Sequence, residues 1–490
     1  METMNTLIVT DQKQEWLEVP GAAVLTARGY LAERESDLYA DVRVLNLCRT
    51  GRYQGRGYYV SLLAQARGQR PIPEVKTVEY LKSEAYVREL AAELEPLVQE
   101  LRHDESDRFE LDVYLGRDPA ARHQALAEQI FASVRAPLLQ ALFARSDGRW
   151  RLDAVQSISV ADIPAQHREC VLDAIKASVA ESSAPQAHRT RTGPPRLAIL
   201  WDPNEPLKAS NDEALQRFLR AAPLVGLEAE LICHDALERL SDFDALFSRA
   251  SPEVTGVTYE FVRRAEALGM PVVDDPESIL KCVNKVYMHE LMSRHRIAQP
   301  STLIVHRGNV DDVVATLGLP CVLKLPDSGF GLDVVKLESE ERLREEAERF
   351  FKVSELIVAQ EWLPTSFDWR VGVFDQRPLF VCKYFMAPGH WKILQMAEGQ
   401  PIEGESVTMS VGEAPAPVVD LAVRAANLVG KGLYGVDLKQ VEDRVYLIEV
   451  NCNPNIDAGV EDEAAGDALY REVVGVFARR IAERRGGAAL

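Results

Sequence analysis

One stretch, GLYGVDLKQVEDRVYLIEVNCNPNID at residues 432–457, constrains the fold of this chain more than any other. It predicts two short strands joined by a tight polar turn at residues 442–444. Glu449 and Asn451 lie two positions apart on the second strand, so both side chains leave the same face. The hairpin can bring Asp437, on the first strand, to that same face. Two carboxylates and an amide oxygen are hard ligands, which suit Mg²⁺ or Mn²⁺ better than zinc.

An ordinary sheet hairpin with a charged solvent face is the alternative interpretation. Against it, Val436, Leu438 and Val450 are apolar enough to bury the pair of strands, and a buried carboxylate without a partner is costly. Mg²⁺ that is held by a few protein oxygens usually completes its shell with phosphate oxygens and water. The hairpin therefore predicts a nucleotide site.

Length and charge limit what such a chain can do. With 490 residues it is too long for one core, and about three or four domains or subdomains are expected. Its net charge of −19 argues against nucleic-acid and anionic-membrane partners, so an ATP site must carry its own lysines and arginines. The seven cysteines form no CxxC pair, no run approaches a membrane span, and the N-terminus lacks a secretory signal. We therefore expect a cytoplasmic protein.

Residues 1–185 are predicted to form an α/β domain. Short apolar runs in this part predict strands, and two segments have the apolar spacing of helices. The predicted strands are residues 7–10, 22–27, 42–48 and 108–116, and the predicted helices are residues 84–103 and 120–145.

A glycine-punctuated segment of this domain, residues 52–68, is rich in arginine and tyrosine and runs into a predicted helix. Backbone amides at the helix start, with Arg52 and Arg56 beside them, are suited to hold an anion or an acidic substrate. The alternative is a surface loop whose tyrosines pack down while its arginines stay in water. The sequence favours neither interpretation, and Arg52 and Arg56 are candidate substrate-binding residues.

A linker rich in serine, proline, glycine and threonine, residues 180–196, separates this domain from the rest. Strands and helices then alternate through residues 196–280, which predicts a small doubly wound parallel sheet. It has no GxGxxG turn, so dinucleotide binding has no support there. Through residues 281–485, antiparallel strand pairs with helices laid on them predict an α+β domain. The predicted fold class is multidomain, α/β followed by α+β.

Lys324 lies in the predicted strand VLKL, just before a glycine-bearing turn. A strand lysine that grips a phosphate, while the amides of such a turn close over it, is a recurrent way to bind a triphosphate. The turn residues assigned to nucleotide binding are Ser328, Gly329 and Gly331. The motif differs from a Walker P-loop, whose glycines precede the lysine. Alone it is weak, because a lysine at a sheet edge often serves only to block edge pairing.

A second group of candidates follows in chain order. The strand IVAQEWLP predicts a wall for adenine, with Glu361 at the amino edge of the base. Asp368 and Arg370 alternate with Trp369 and Val371, which puts both charges on one face. Along the chain, cationic residues that suit phosphates come first, and acidic residues that suit a metal ion follow. This order is hard to obtain by chance. The candidates are Gln360, Glu361, Trp362, Leu363, Asp368, Arg370, Lys383, His390, Trp391 and Lys392.

With these motifs the chain resembles the ATP-grasp superfamily, and within it the ligases related to ribosomal-protein S6 glutamate ligase. The resemblance covers about residues 196–480. It is carried by NKVYMHEL, which contains Lys285, and by CVLKLPDSGFG, AQEWL, DWRVGVF, GHWKI, GVDL and IEVNCNPN. The first domain, with RYQGRGYYVSLL, looks like the N-terminal domain that is fused to some of these proteins.

The resemblance implies an ATP-grasp fold for residues 281–485 and a role for each motif. The implied nucleotide contacts are Lys285 and Lys324 at the phosphates, the Glu361-Trp362 segment at the adenine, Asp368 and the GHWKI loop. The implied metal ligands are Asp437, Glu449 and Asn451. The lid differs, because the S6 ligases carry a serine- and arginine-rich lid where this chain has MAPGHWKIL. Glutamate is therefore not carried over as the substrate.

The implied reaction is an ATP-dependent ligation of a carboxylate to an amine through an acylphosphate. Arg370 is the candidate for stabilising the oxyanion as the amine adds, with Lys392 as a second choice. The expected ligands are ATP, Mg²⁺ or Mn²⁺, and a small carboxylate and amine, an amino acid or peptide. Two alternatives stay open: a kinase for a small hydroxyl compound, and a nucleotide-binding protein without turnover that holds a protein partner. Assembly into a homo-oligomer is compatible with the sequence.

Overall fold

The computed structural model describes residues 6–32, 42–99, 107–146, 149–180, 194–254, 256–327, 333–397 and 400–485. The chain forms two compact units, residues 1–185 and residues 186–490. Over the described ranges no helix combines the length and the apolar character that crossing a bilayer requires.

The first unit begins with a parallel sheet and its helices. The elements are β1 Thr6–Thr10, β2 Ala22–Thr26, α1 Ala27–Ala32, β3 Arg43–Asn46, α2 Arg56–Ala66, β4 Arg70–Ile72 and α3 Val75–Tyr80. The four strands lie in the order β2-β1-β3-β4. The central strand β1 is buried on both faces, with Ile8 in one core cluster and Leu7 and Val9 in another. Strands buried on both faces are typical of parallel sheets.

The rest of the first unit is an antiparallel sheet with helices. The elements are α4 Glu84–Gln99, β5 Arg108–Tyr114, α5 Gln124–Val134, β6 Leu138–Ser146, β7 Arg149–Ser157 and α6 Arg168–Ala180. The three strands lie in the order β5-β6-β7. The helix predicted for residues 120–145 is wrong beyond Val134. Arg135 takes a left-handed φ of 55°, which ends the helix, and Leu138 begins a strand that pairs with β5.

The arginine- and tyrosine-rich segment packs α2 onto β3. Tyr58 and Tyr59 are buried, and Tyr53 meets Tyr58 edge to face with ring centres 5.1 Å apart. A Cβ at Gly57 would lie 2.4 Å from the carbonyl oxygen of Arg49, so a side chain does not fit there. Tyr58 and Tyr59 therefore belong to the core, as the packing interpretation expects.

The second unit opens with a small parallel sheet. The elements are β8 Arg196–Leu200, α7 Asp212–Ala221, β9 Glu228–Ile232, β10 Ala245–Ser248, α8 Val257–Ala267, β11 Val272–Val273 and α9 Pro276–Val283. The strand order is β11-β10-β8-β9, so the chain winds first to one side of β8 and then to the other. Asn211 caps α7 by accepting the Ala214 N–H at 2.9 Å. The predicted doubly wound parallel sheet is confirmed.

An antiparallel sheet follows, as predicted for the α+β part. The elements are α10 Lys285–Arg294, β12 Thr302–Val305, α11 Asp312–Leu317, β13 Cys321–Lys324, β14 Val334–Leu337, α12 Glu340–Phe350 and β15 Ile357–Glu361. The strands lie in the order β12-β15-β13-β14. Leu323 and Ala359 face the core that α11 and α12 cover. Lys324 and Gln360, one position further on, therefore face the other way.

A second antiparallel sheet contains the hairpin. The elements are β16 Phe367–Phe374, β17 Arg377–Phe385, β18 Leu394–Ala397, β19 Gln400–Glu403, β20 Ser406–Met409, α13 Ala416–Val429, β21 Leu433–Val441, β22 Arg444–Cys452 and α14 Asp467–Arg484. Five strands pair in the order β20-β17-β16-β21-β22, and β18 and β19 form a separate ribbon. One core cluster joins this sheet to the parallel sheet through Phe247, Leu433 and Phe477 of α14.

Candidate active site

A cavity of about 540 Å³ lies within the second unit and is lined by residues of both antiparallel sheets. Its volume is in the range of sites for small molecules and cofactors. The predicted site residues that line it are Lys285, Lys324, Gln360, Glu361, Trp362, Leu363, Asp368, Arg370, Trp391, Lys392, Asp437 and Glu449. Folding thus gathers side chains from distant parts of the chain around one space.

The hairpin β21-β22 supplies the oxygen donors of the cavity. Asp437 pairs with Glu449 across the two strands, and Gly435 pairs with Asn451. The Asn451 amide Nδ2 donates to Asp437 Oδ2 at 3.1 Å and to Glu449 Oε1 at 3.2 Å. In the described part of the chain no group of three His, Cys, Asp or Glu residues is arranged to hold a metal ion. Two carboxylates thus lie together at this point, and the Asn451 amide contacts both of them through its nitrogen.

Arg370 on β16 forms an ion pair with Asp437 on β21. Its Nε and Nη2 atoms donate to the two carboxylate oxygens, with Nη2 at 2.9 Å from Oδ2. Gly435 leaves room for it, because a Cβ there would lie 3.1 Å from Arg370 Cδ and 2.7 Å from Pro454 Cβ. Burial works against the charged form, yet Asp437 outweighs it, so the pKa of Arg370 is raised above its usual value. Arg370 therefore stays charged inside the cavity wall.

Two lysines, the buried Lys324 and the partly buried Lys285, balance the charge of Glu449. Burial alone would raise the pKa of Glu449, but Lys285 and Lys324 outweigh it and hold that pKa below its usual value. Burial lowers the pKa of Lys324 to about 8, against the attraction of Glu449. Burial also lowers the pKa of Lys285. Lys324 is thus largely protonated at neutral pH and loses its proton just above it.

Gln360 fixes the position of Lys324. The Lys324 Nζ atom donates to Gln360 Oε1 at 2.7 Å, and Gln360 Nε2 donates to Thr302 Oγ1 at 3.0 Å. The three residues lie on the paired strands β13, β15 and β12. The ammonium group is therefore held at a defined point by a rigid sheet.

Two tryptophans form another part of the wall. Trp362 and Trp391 meet edge to face with ring centres 5.0 Å apart, and Lys392 Nζ lies 5.1 Å from the centre of the Trp391 ring. Burial lowers the pKa of Lys392. Glu361 lines the same wall, and its Oε1 accepts the Ser301 N–H at 2.7 Å. A flat ring with polar edges, such as adenine, fits a wall of this kind.

Lys439 is a cavity residue that sequence reasoning missed. Its Nζ atom donates to Asp368 Oδ1 and to Thr365 Oγ1, both at 2.6 Å. The sequence feature that could have identified Lys439 is its position two residues after Asp437, because residues two apart on a strand share a face. The signal is weak, because a lysine in a hairpin is also typical of a solvent-facing position.

Lys383, which is predicted to contact the nucleotide, is not among the residues that line this cavity. Lys383 pairs with Trp369, one position away from Arg370. Its Nζ atom lies 4.7 Å from the centre of the Phe367 ring and 4.8 Å from that of Trp369. Because neighbouring residues on a strand point to opposite faces, Lys383 is directed away from the Arg370 side of the sheet.

His390 supports the cavity wall without lining it. Its Nδ1 atom accepts the backbone N–H of Lys392 at 3.0 Å, and its ring stacks on Trp391 with centres 5.7 Å apart. Burial, together with the charge of Lys392, lowers the pKa of His390. The residue therefore shapes the loop that carries Trp391 and Lys392.

Five predicted residues belong to the other unit or lie outside the described ranges. Ser328, Gly329 and Gly331 lie outside the described residues. Arg52 and Arg56 belong to the first unit, where both side chains are exposed. Their assignments to the nucleotide and to the substrate stay predictions.

Further polar residues line the cavity in a part of the wall that sequence reasoning did not assign. They are Lys208, Tyr384, Asn455, Asp457 and Glu461. The guanidinium carbon of Arg370 lies 5.3 Å from the centre of the Tyr384 ring, and the Tyr384 hydroxyl donates to Glu461. Asp457 ends the hairpin stretch, but no spacing pattern marks it or Glu461 as site residues.

Two family models match the chain. The RimK-like ATPgrasp N-terminal domain matches residues 27–174, and the RimK-like ATP-grasp domain matches residues 282–466. The second match contains the cavity residues from Lys285 to Glu461.

Two similar proteins carry the same kind of name. The chain is 28% identical over 246 residues to a protein named "Probable alpha-L-glutamate ligase" from Syntrophotalea carbinolica, which covers 48% of this chain and 77% of that protein. It is 26% identical over 271 residues to "Probable alpha-L-glutamate ligase 2" from a Shewanella species, which covers 51% of this chain and 88% of that protein.

Solved structures match at low similarity. A RimK domain protein ATP-grasp from Sphaerobacter thermophilus is 17% identical, with a TM-score of 0.42, over 59% of this chain and 98% of that chain. A D-alanine–D-alanine ligase from Bacillus anthracis complexed with ATP is 15% identical, with a TM-score of 0.44, over 60% of this chain and 99% of that chain. Likeness at this level carries no weight for the function. The chain thus carries a RimK-like ATPgrasp N-terminal domain and a RimK-like ATP-grasp domain, and the second match includes most of the residues that line the cavity.

Proposed function

We propose that this protein is an ATP-dependent, ADP-forming ligase that joins a carboxylate to an amine. One observation carries the proposal: a single cavity sets Lys285 and the buried Lys324 beside the carboxylates of Asp437 and Glu449, and Asn451 contacts both carboxylates. Such a cavity offers cations for phosphate oxygens and hard ligands for the metal ion that accompanies ATP. A carboxylate oxygen attacks the γ-phosphorus, ADP leaves, and the resulting acylphosphate becomes an amide when an amine displaces phosphate.

Different parts of the cavity wall contact different parts of the nucleotide. Lys285 and Lys324 take the phosphates, in a low-dielectric setting where contacts between charges are stronger than in water. The segment from Gln360 to Leu363, together with Trp391, takes the adenine. Asp368, which is tied to Lys439, contacts the nucleotide from β16.

The metal ion is Mg²⁺ or Mn²⁺, with Asp437, Glu449 and Asn451 as its protein ligands. The donor set fits, because these are hard oxygens and Asn451 already lies against both carboxylates. A half-turn of its amide would direct Oδ1 to the side where Nδ2 now lies. When bound, the ion supplies positive charge that offsets the negative charge of the phosphoryl group in transfer.

Arg370 stabilises the oxyanion that forms when the amine adds, and Lys392 is the second candidate for this role. Arg370 uses two of its five N–H donors on Asp437, so three are available for a substrate oxygen. Its raised pKa keeps the charge in place. Because phosphate is a good leaving group, no nucleophilic side chain is needed.

The substrates are amino acids or peptides, and the names of the two similar proteins support this class.

We divide the protein into three domains, residues 1–185, 196–280 and 281–485. The last is the catalytic domain, and the first contributes to substrate choice through Arg52 and Arg56. All seven cysteines are free, which supports a reducing cytoplasmic location. A homo-oligomer is part of the proposal.

Hydroxylamine tests the proposed function. With ATP, Mg²⁺ and hydroxylamine, a panel of common amino acids and dipeptides should yield ADP together with a hydroxamate from at least one member. Hydroxylamine attacks an acylphosphate directly, so hydroxamate forms whatever the natural amine is. A kinase for hydroxyl compounds would release ADP without hydroxamate, and that outcome across the whole panel would reject the ligase.

The metal assignment predicts the behaviour of Glu449→Gln. The change keeps the size of the side chain but removes one negative charge from the ligand set. Turnover should fall by more than about tenfold, and the Mg²⁺ concentration for half-maximal rate should rise. Glu472→Gln, on an exposed position of α14, is the matched control. Parent-like turnover and Mg²⁺ dependence in Glu449→Gln would show that the metal lies elsewhere.

The lowered pKa of Lys324 predicts a pH dependence of nucleotide binding. With a pKa of about 8, Lys324 is largely neutral at pH 9 in the free protein, and it must regain a proton to hold a phosphate. Affinity should therefore fall as the pH rises above 8, with uptake of about one proton on binding. Calorimetry in two buffers of different ionisation enthalpy measures this uptake. Lys324→Arg, which stays protonated, should lower it, and equal proton uptake at pH 7.5 and 9 in the parent would contradict the assignment.

A further inference from the structure

The part of the cavity wall that follows the hairpin in sequence contains two carboxylates that have no role in the proposed ATP site. Asp457 and Glu461 lie in the loop between β22 and α14, and both line the cavity. Glu461 is only 1% exposed, whereas Asp457 is half-buried. Burial raises the pKa of both carboxyl groups. Two acidic groups in this position need a reason, because removing a carboxylate from water is costly.

Neither carboxylate has an ion-pair partner among the described residues. Three other carboxylates of this region each have one, in the pairs Asp437 with Arg370, Asp368 with Lys439 and Asp462 with Arg217. The charge of the buried Arg249 acts on Asp457 and Glu461, but its guanidinium donates to Ser210, Asn453 and two backbone carbonyl oxygens. The cavity thus presents negative charge that no side chain of the described structure pairs directly.

The loop holds Asp457 in a fixed position. Glu461 Oε2 accepts the backbone N–H of Asp457 at 2.7 Å. Asp457 Oδ1 accepts the backbone N–H of Asn211, and Oδ2 accepts Asn455 Nδ2 at 3.3 Å. These donors are neutral, and the second bond is long, so the carboxylate keeps lone pairs for a cationic ligand.

A chain of contacts links these carboxylates to the reaction centre. The Tyr384 hydroxyl donates to Glu461, and the Tyr384 ring lies under the guanidinium of Arg370 at 5.3 Å. Arg370 in turn pairs with Asp437. An acceptor amine must reach the acyl carbon beside Arg370, and a primary amine is a cation in water at neutral pH.

We propose that Asp457 binds the acceptor amine as its ammonium ion and that Glu461 positions Asp457 for this task. The inference rests on the ligase function proposed above and names the class of its second substrate. That substrate is a primary amine that is protonated in solution, such as the amino group of an amino acid or peptide.

The ammonium nitrogen has no free electron pair, so it must lose a proton before it attacks. One proton passes to the Asp457 carboxylate, and the freed lone pair forms the C–N bond to the acyl carbon. The C–O bond to phosphate then breaks, and the departing phosphate takes that electron pair together with the second proton that the nitrogen loses. Asp457 returns its proton to solvent when the amide has left.

A comparison of two amines in one variant tests the proposal. Asp457→Asn removes the charge, while its amide oxygen can still accept the Asn211 N–H. The carboxylate is the panel member that gives most hydroxamate with the parent enzyme, and the acceptor comes from the same amino-acid panel. The kcat/KM for that acceptor should fall by about a hundredfold or more. Hydroxylamine is uncharged at neutral pH, so hydroxamate formation and the KM for ATP should stay within about twofold.

Two further variants sharpen the test. Glu461→Gln should raise the KM of the acceptor and leave hydroxamate formation nearly unchanged, as a positioning role predicts, and Asp443→Asn in the exposed hairpin turn is the matched control. Equal loss of amide and hydroxamate formation in Asp457→Asn would assign the residue to the first half-reaction or to the fold and would overturn the inference. So would an unchanged kcat/KM for the acceptor. A parent enzyme that forms no hydroxamate would reject the ligase function itself, and the inference with it.

Discussion

Arg370 and Asp437 form a buried ion pair where β16 and β21 lie side by side in the five-stranded sheet. Removing one member of such a pair leaves an uncompensated charge away from water, which costs about 3–5 kcal/mol in proteins. The pair therefore favours one register of the strands that carry the oxygen donors. It also requires Gly435 on β21, where a Cβ would come 3.1 Å from Arg370 Cδ. Backbone register and site chemistry are set by the same contact.

Charges of alternating sign extend from this pair along the cavity wall. Asn451 joins Asp437 to Glu449, whose charge Lys285 and Lys324 balance. Within this arrangement each charged side chain has an oppositely charged group of the protein near it. A bound nucleotide therefore replaces existing charge contacts and does not meet unpaired charges. The groups are already oriented when the ligand arrives, and preorganised charges stabilise a transition state better than water does. Asp457 and Glu461, in the part of the cavity wall beyond Tyr384, have no ion-pair partner among the described residues. For this reason we assign this part of the wall to a cationic substrate.

Local patterns made the hairpin predictable. Alternation along β22 and a polar turn determine the shared face of Glu449 and Asn451, and both depend only on neighbouring residues. The face of Lys383 could not be predicted in this way, because it depends on how β17 pairs with β16 and on the irregularity after Gly372. A shift of one residue reverses every side chain of a strand. The contact of Lys439 with Asp368 and the place of Asp457 in the wall are likewise products of long-range packing.

Phosphoryl transfer to a carboxylate is the central step of the proposed function, and an oxygen isotope tests it most directly. When both carboxylate oxygens of the substrate are ¹⁸O, one of them becomes the bridging oxygen of the acylphosphate and leaves with the phosphate. We predict that each inorganic phosphate released carries one ¹⁸O atom and that the amide keeps the other. Phosphate without ¹⁸O, released as fast as the amide forms, would show that another group attacks ATP and would contradict an acylphosphate mechanism.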